Sequence, residues 1–96
     1  MQKTNALLKS IGKLVVSMRA TTMDQTELGQ RVGVGRNTIS SIENGKPVNA
    51  ETIFNVLEHF GVIDDVQLVI EQKLEEQQST LSRKSRKDEL ELDNDF

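Results

Sequence analysis

Between residues 24 and 46 the chain gathers side chains that make hydrogen bonds rather than covalent chemistry: Gln25, Arg36, Asn37, Thr38, Ser40, Ser41, Asn44 and Lys46. An arginine offers a fork of donors, and an asparagine offers a donor beside an acceptor. Each can make two parallel hydrogen bonds to the edge of a planar heterocycle. Lysine and hydroxyl groups suit anionic oxygens. The ingredients of catalysis are scarce by comparison. His59 is the single histidine and there is no cysteine, so neither a His/Cys metal site nor a thiol nucleophile is available. No serine pairs with His59 on sequence grounds, and Gly45-Lys46 lacks the upstream glycine of a phosphate-binding loop. The expectation is a binding protein, not an enzyme, with no metal and no cofactor.

Two short helices and a tight turn must position these groups. Asp24 is a good N-cap with Glu27 three residues on, close to a capping box in which each side chain satisfies an orphan N–H of the first turn. Leu28 and Val32 give that helix an apolar face, and Gly33 falls where a left-handed C-cap glycine belongs. Val34 and Gly35 complete the connector. The next helix begins near Arg36, turns Ile39 and Ile42 inward, and ends at Gly45 and Pro47. Helix, glycine turn, helix is the pattern of a DNA-binding helix-turn-helix.

The stretch resembles the Cro/cI repressor (XRE-type) helix-turn-helix family. That family has a Gln opening its second helix, an apolar-Gly-apolar turn, a Thr-Ile-Ser-like recognition helix and a closing Glu-x-Gly-Lys. This chain has Gln25, Val32-Gly33-Val34, Thr38-Ile39-Ser40 and Glu43-Asn44-Gly45-Lys46. The likeness extends more loosely over about residues 5–63. It implies an all-α, compact five-helix domain whose recognition helix enters the major groove of double-stranded DNA.

Carried over position by position, the family pattern makes Arg36, Asn37 and Ser41 base readers, with Ser40 behind them. Arginine suits guanine and asparagine suits adenine, whereas serine discriminates poorly, so Ser41 serves close approach. Gln25 falls at a helix N-terminus, where free N–H groups and the helix dipole favour a phosphate. Thr38, Asn44 and Lys46 are further phosphate candidates, and Arg31 is left open because it could lie away from DNA. The alternative for each is ordinary solvated helix surface. Ile39 and Ile42 are expected in the core. Two positions depart from the family. Gly35 stands where many relatives have a capping Ser or Thr, losing a hydroxyl contact but keeping its N–H. Met18 stands where the family often has an arginine paired with the glutamate matching Glu43; Arg19 is adjacent, which leaves that ion pair open.

The rest of the chain frames this motif. Helix 1 is expected over residues 5–18, with Leu7, Ile11, Leu14, Val15 and Met18 at three-and-four spacing. Lys9 and Lys13 either flank DNA or are solvated. Asn49 caps helix 4 over residues 50–60, with Ile53, Leu57 and Phe60 inward and Phe54 and Val56 on the flanks. Asp64 or Asp65 caps helix 5 over residues 65–78. Its stripe of Val66, Val69, Ile70 and Leu74 reads either as core or as a dimer surface, and a strand over residues 67–71 is an alternative. The expected domain spans residues 1–78. Residues 79–96 carry a basic and then an acidic run ending at Phe96 and read as a flexible, disordered tail.

Ninety-six residues suit one small domain. The net charge of −3 is unevenly spread: residues 1–50 hold seven Lys or Arg against three acids, and residues 51–96 hold five against twelve. The motif thus lies in the basic half, as a phosphate-facing surface requires. No long apolar run marks a signal peptide or a membrane span, and the lack of cysteine fits a cytoplasmic protein. These readings converge on a dimeric transcriptional repressor at a palindromic operator. The alternative is a HipB-like antitoxin that autoregulates its operon and also binds a kinase-like toxin.

Overall fold

A computed structural model describes the backbone of residues 1–87 and the side-chain surroundings of residues 1–81. Five helices follow in order: α1 (Gln2–Arg19), α2 (Gln25–Val32), α3 (Arg36–Glu43), α4 (Ala50–His59) and α5 (Ile63–Lys87). The fold is all-α, and no strand occurs among the described residues. The described residues fall into two compact units, Met1–Ile63 and a second that begins at Asp64.

In the first unit α3 packs against both α1 and α2, and α4 packs against α2. Val15, Leu28, Ile39, Ile42 and Val56 are buried together, with Ile11, Met23, Val32, Val34, Val48 and Phe60 packed around them. Both isoleucines of α3 are therefore core, as the sequence pattern requires. The core is small and almost wholly aliphatic, so its stability rests on close fit. Gly12 on α1 is the clearest case. A Cβ there would sit 2.6 Å from the Ile42 carbonyl oxygen and 2.7 Å from that of Glu43, so α1 meets the backbone of α3 directly.

Local signals set the helix ends. The Asp24 side chain accepts a hydrogen bond from the Glu27 N–H at 2.8 Å. The reciprocal half of a capping box does not form, because the Glu27 carboxylate instead takes Arg31 at 2.6 Å. Gly33 ends α2 at φ 81, and the Val34 N–H reaches back to the Gly29 carbonyl at 2.8 Å. This is a Schellman-type ending that only glycine adopts without strain. Asn49 caps α4 by accepting from the Thr52 N–H at 3.3 Å.

Several expectations are corrected. Helix α1 starts at Gln2 rather than near Asn5, because the polar residues ahead of Leu7 continue the helix without contributing to its packed face. Leu7 and Leu14 of the expected inner stripe are exposed. On α4, Leu57 is buried and Phe60 packs on the core as expected, but Val56, expected on the flank, is fully buried, while Phe54 is 46% exposed. The strand alternative at residues 67–71 fails, since that segment lies inside α5. Helix α5 also runs nine residues past the expected end at Gln78, reaching Lys87. Residues 79–87 contain no Gly or Pro. Polar residues without Gly or Pro do not stop local backbone hydrogen bonding. The remainder of the expected tail, residues 88–96 with Phe96, lies outside the described residues.

Candidate nucleic-acid interface

The α2–turn–α3 unit is held at both ends of its second helix. Gly35 is the N-cap of α3 in extended conformation, with no side-chain cap. The carbonyl of Gly35 accepts from the Thr38 and Ile39 N–H groups at 3.2 and 3.4 Å. The N–H groups of Arg36 and Asn37 have no partner among the described residues, and they lie at the positive end of the helix dipole. The side chains of Arg36 and Asn37 are exposed on this first turn. Thr38, Ser40 and Ser41 are half-buried, and Asn44 and Lys46 are exposed just beyond the helix.

The far end of α3 is fixed by Glu43. Its carboxylate, with the side chain only 5% exposed, accepts from Arg19 Nε at 2.5 Å and from Arg19 Nη2 at 3.1 Å. Gln25 Nε2 donates to the same carboxylate at 2.9 Å, and Arg19 Nη1 donates to the Met23 carbonyl at 3.0 Å. One carboxylate thus joins the end of α1, the start of α2 and the end of α3. The hydrogen bond to Glu43 pushes the Arg19 guanidinium above its ordinary range, against the opposing effect of burial. The ion pair left open by Met18 is therefore made by Arg19, one residue later.

This network bears on the phosphate candidates. Gln25 has one amide hydrogen committed to Glu43 and one remaining. The Asn44 amide folds back onto α3, donating to the Ser40 carbonyl at 2.9 Å. Arg31 pairs with Glu27 on the exposed face of α2. Lys9 lies against the turn after α3: a Cβ on Gly45 would fall 2.9 Å from Lys9 Cγ. Lys9 and Lys46 therefore belong to one neighbourhood of the surface, which sequence spacing did not reveal. Val66 aside, the other members of the α5 stripe, Val69, Ile70 and Leu74, are exposed. Gly12 was missed in the sequence, although a glycine inside an apolar helical stripe signals close backbone approach.

A braced two-helix unit with free N–H groups and donor side chains on the first turn of its second helix defines a DNA-binding helix-turn-helix. Residues 20–64 match the helix-turn-helix family model, and this part of the chain is a helix-turn-helix domain of the Cro/cI (XRE) type. The match takes in α2, α3 and α4. Domains of this family bind DNA in transcriptional regulation. Comparison of the chain with curated proteins and with solved structures gave no match. No helix among the described residues is long and apolar enough to cross a membrane.

Proposed function

We propose that the protein is a cytoplasmic, sequence-specific transcriptional repressor that acts as a homodimer on a palindromic operator. The observation that carries this reading is the exposure of Arg36 and Asn37 at the open N-terminus of a helix that Glu43 braces from behind. Arg36 and Asn37 read bases in the major groove, with Ser41 and Ser40 at the approach surface. Gln25, through its remaining amide hydrogen, binds phosphate together with the N–H of Gly35 and with Thr38, Asn44 and Lys46. Two-fold symmetry places two recognition helices about 34 Å apart, one turn of DNA, or a multiple of that. Occupying the operator blocks transcription from it.

Selection from randomised duplexes by the purified protein tests this. Enrichment of an inverted repeat is expected, and absence of any enriched sequence at low salt would overturn the reading. The antitoxin alternative depends on the terminal segment through Phe96, outside the described residues, and gains no support from the rest. Co-purification of a kinase-like protein with the chain would reinstate it.

A further inference from the structure

Helix α5 is a single run of 25 residues, about 37 Å long at 1.5 Å per residue. Along it Val66, Ile70, Leu74, Gln77 and Leu81 recur at spacings of four, four, three and four, so they share one stripe. Ile70 and Leu74 are 52% and 54% exposed, and Leu81 is 38% exposed. The stripe is that of a helix-pairing seam with one polar position. The charge of the helix is also polarised. Residues 64–76 hold five acids and one lysine, while residues 79–87 hold four Lys or Arg and no acid.

We propose that the partner of this seam is a second copy of α5 running antiparallel, with Ile70 of one copy against Leu81 of the other and Leu74 against Gln77. This deepens the dimeric reading above and rests on it. Charge decides the direction. A parallel pair sets the two basic segments side by side, eight positive charges in about two turns of paired helix. The antiparallel register instead lays residues 83–87 of each copy beside residues 64–68 of the other, which include Asp64 and Asp65. The two copies of Gln77 come to adjacent layers beside the two-fold axis, close enough for their amides to bond to each other. A polar seam residue of this kind fixes register at some cost in stability. The contact is isologous, so it closes at two copies.

The absence of cysteine makes the register directly testable. Chains carrying I70C and chains carrying L81C are mixed, refolded together and oxidised. The expected product is a disulfide between one I70C and one L81C chain, with each variant alone remaining unlinked. In the antiparallel pair two copies of position 70 are separated by eleven residues, about 16 Å, beyond the reach of a disulfide. Self-linking of each variant would overturn the proposal in favour of a parallel pair. No linking, with wild-type protein still dimeric by sedimentation, would place the dimer contact elsewhere and overturn it while leaving the dimeric repressor intact. Wild-type protein that stays monomeric both alone and on an inverted-repeat duplex would overturn both. A second test avoids the seam: R83E/K84E/R86E/K87E shifts the sedimenting species towards monomer, and adding D64K/D65K restores the dimer. Failure of that restoration counts against the charge-set direction.

Discussion

Arg19 at the end of α1 and Glu43 at the end of α3 are separated by 24 residues and joined by two hydrogen bonds, at 2.5 and 3.1 Å. The guanidinium fork spends a third donor on the Met23 carbonyl, so one side chain ties together α1, the connector and the recognition helix. Arg19→Ala leaves the Glu43 carboxylate buried with only Gln25 as a partner. The expected loss is about 3 kcal/mol of folding stability, the low end for removing one partner of a buried pair, since the Arg19 side chain is still 15% exposed. Arg19→Lys recovers only part of this, because a single ammonium cannot reproduce the bidentate geometry. Urea unfolding of the two variants checks the order, and equal stability of Arg19→Lys and wild type would show that the fork is not needed.

Gly12→Ala tests the contact between α1 and the end of α3. The added methyl meets two backbone carbonyl oxygens, which cannot rotate away as a side chain would. Overpacking of this kind costs about 1–3 kcal/mol, even though alanine is the better helix former. The midpoint of chemical unfolding should fall. A midpoint at or above that of wild type would mean that α1 has room to move outward.

How far the sequence could lead depended on the range of each interaction. The Asp24 cap, the Gly33 turn and the Asn49 cap were legible because each is decided within about five residues. The inward placement of Ile39 and Ile42 followed from periodicity alone. The Arg19–Glu43 pair was left open because nothing local says which of two neighbouring residues, Met18 or Arg19, faces a partner two helices away. Phe54 and Val56 both read as flank positions of α4, yet Val56 joins the buried cluster with Leu28 and Ile39, because spacing along one helix does not say how far its packed face extends. The polarity of residues 79–87 suggests a tail, whereas a helix ends where its backbone bonding is interrupted. The base and phosphate assignments came from family likeness; the fold adds the exposure of Arg36 and Asn37 and the neighbourhood of Lys9, which spacing does not encode.

Arg36→Ala should relax preference at one base pair of the operator half-site. Loss of a bidentate contact costs about 1–3 kcal/mol of discrimination there, with little change at the other positions. Arg36 is exposed, so stability should be unaffected and unfolding measurements separate the two effects. An unchanged sequence preference from randomised duplexes would remove Arg36 from the readers.

Lys46→Ala should act on every sequence alike. If Lys46 neutralises a phosphate, its removal reduces by about one the number of counterions released on binding, and the plot of log affinity against log salt flattens accordingly. Lys9→Ala should do the same, since Lys9 packs against the turn that carries Lys46. Titrations at several salt concentrations on specific and nonspecific duplexes measure both slopes. A slope unchanged in one variant alone would assign the phosphate to the other lysine.

Ile70→Glu should convert the protein to monomers. The residue is 52% exposed in the single chain, so a carboxylate there costs little until two copies try to bury it. The helix content by circular dichroism is expected to stay close to that of wild type, while the sedimentation coefficient drops. Operator affinity should fall more steeply than nonspecific affinity, because an inverted repeat rewards two linked recognition helices and a random duplex does not. A variant that still sediments as a dimer would move the contact away from α5. A monomeric variant that keeps full operator affinity would show that each copy reads its half-site alone.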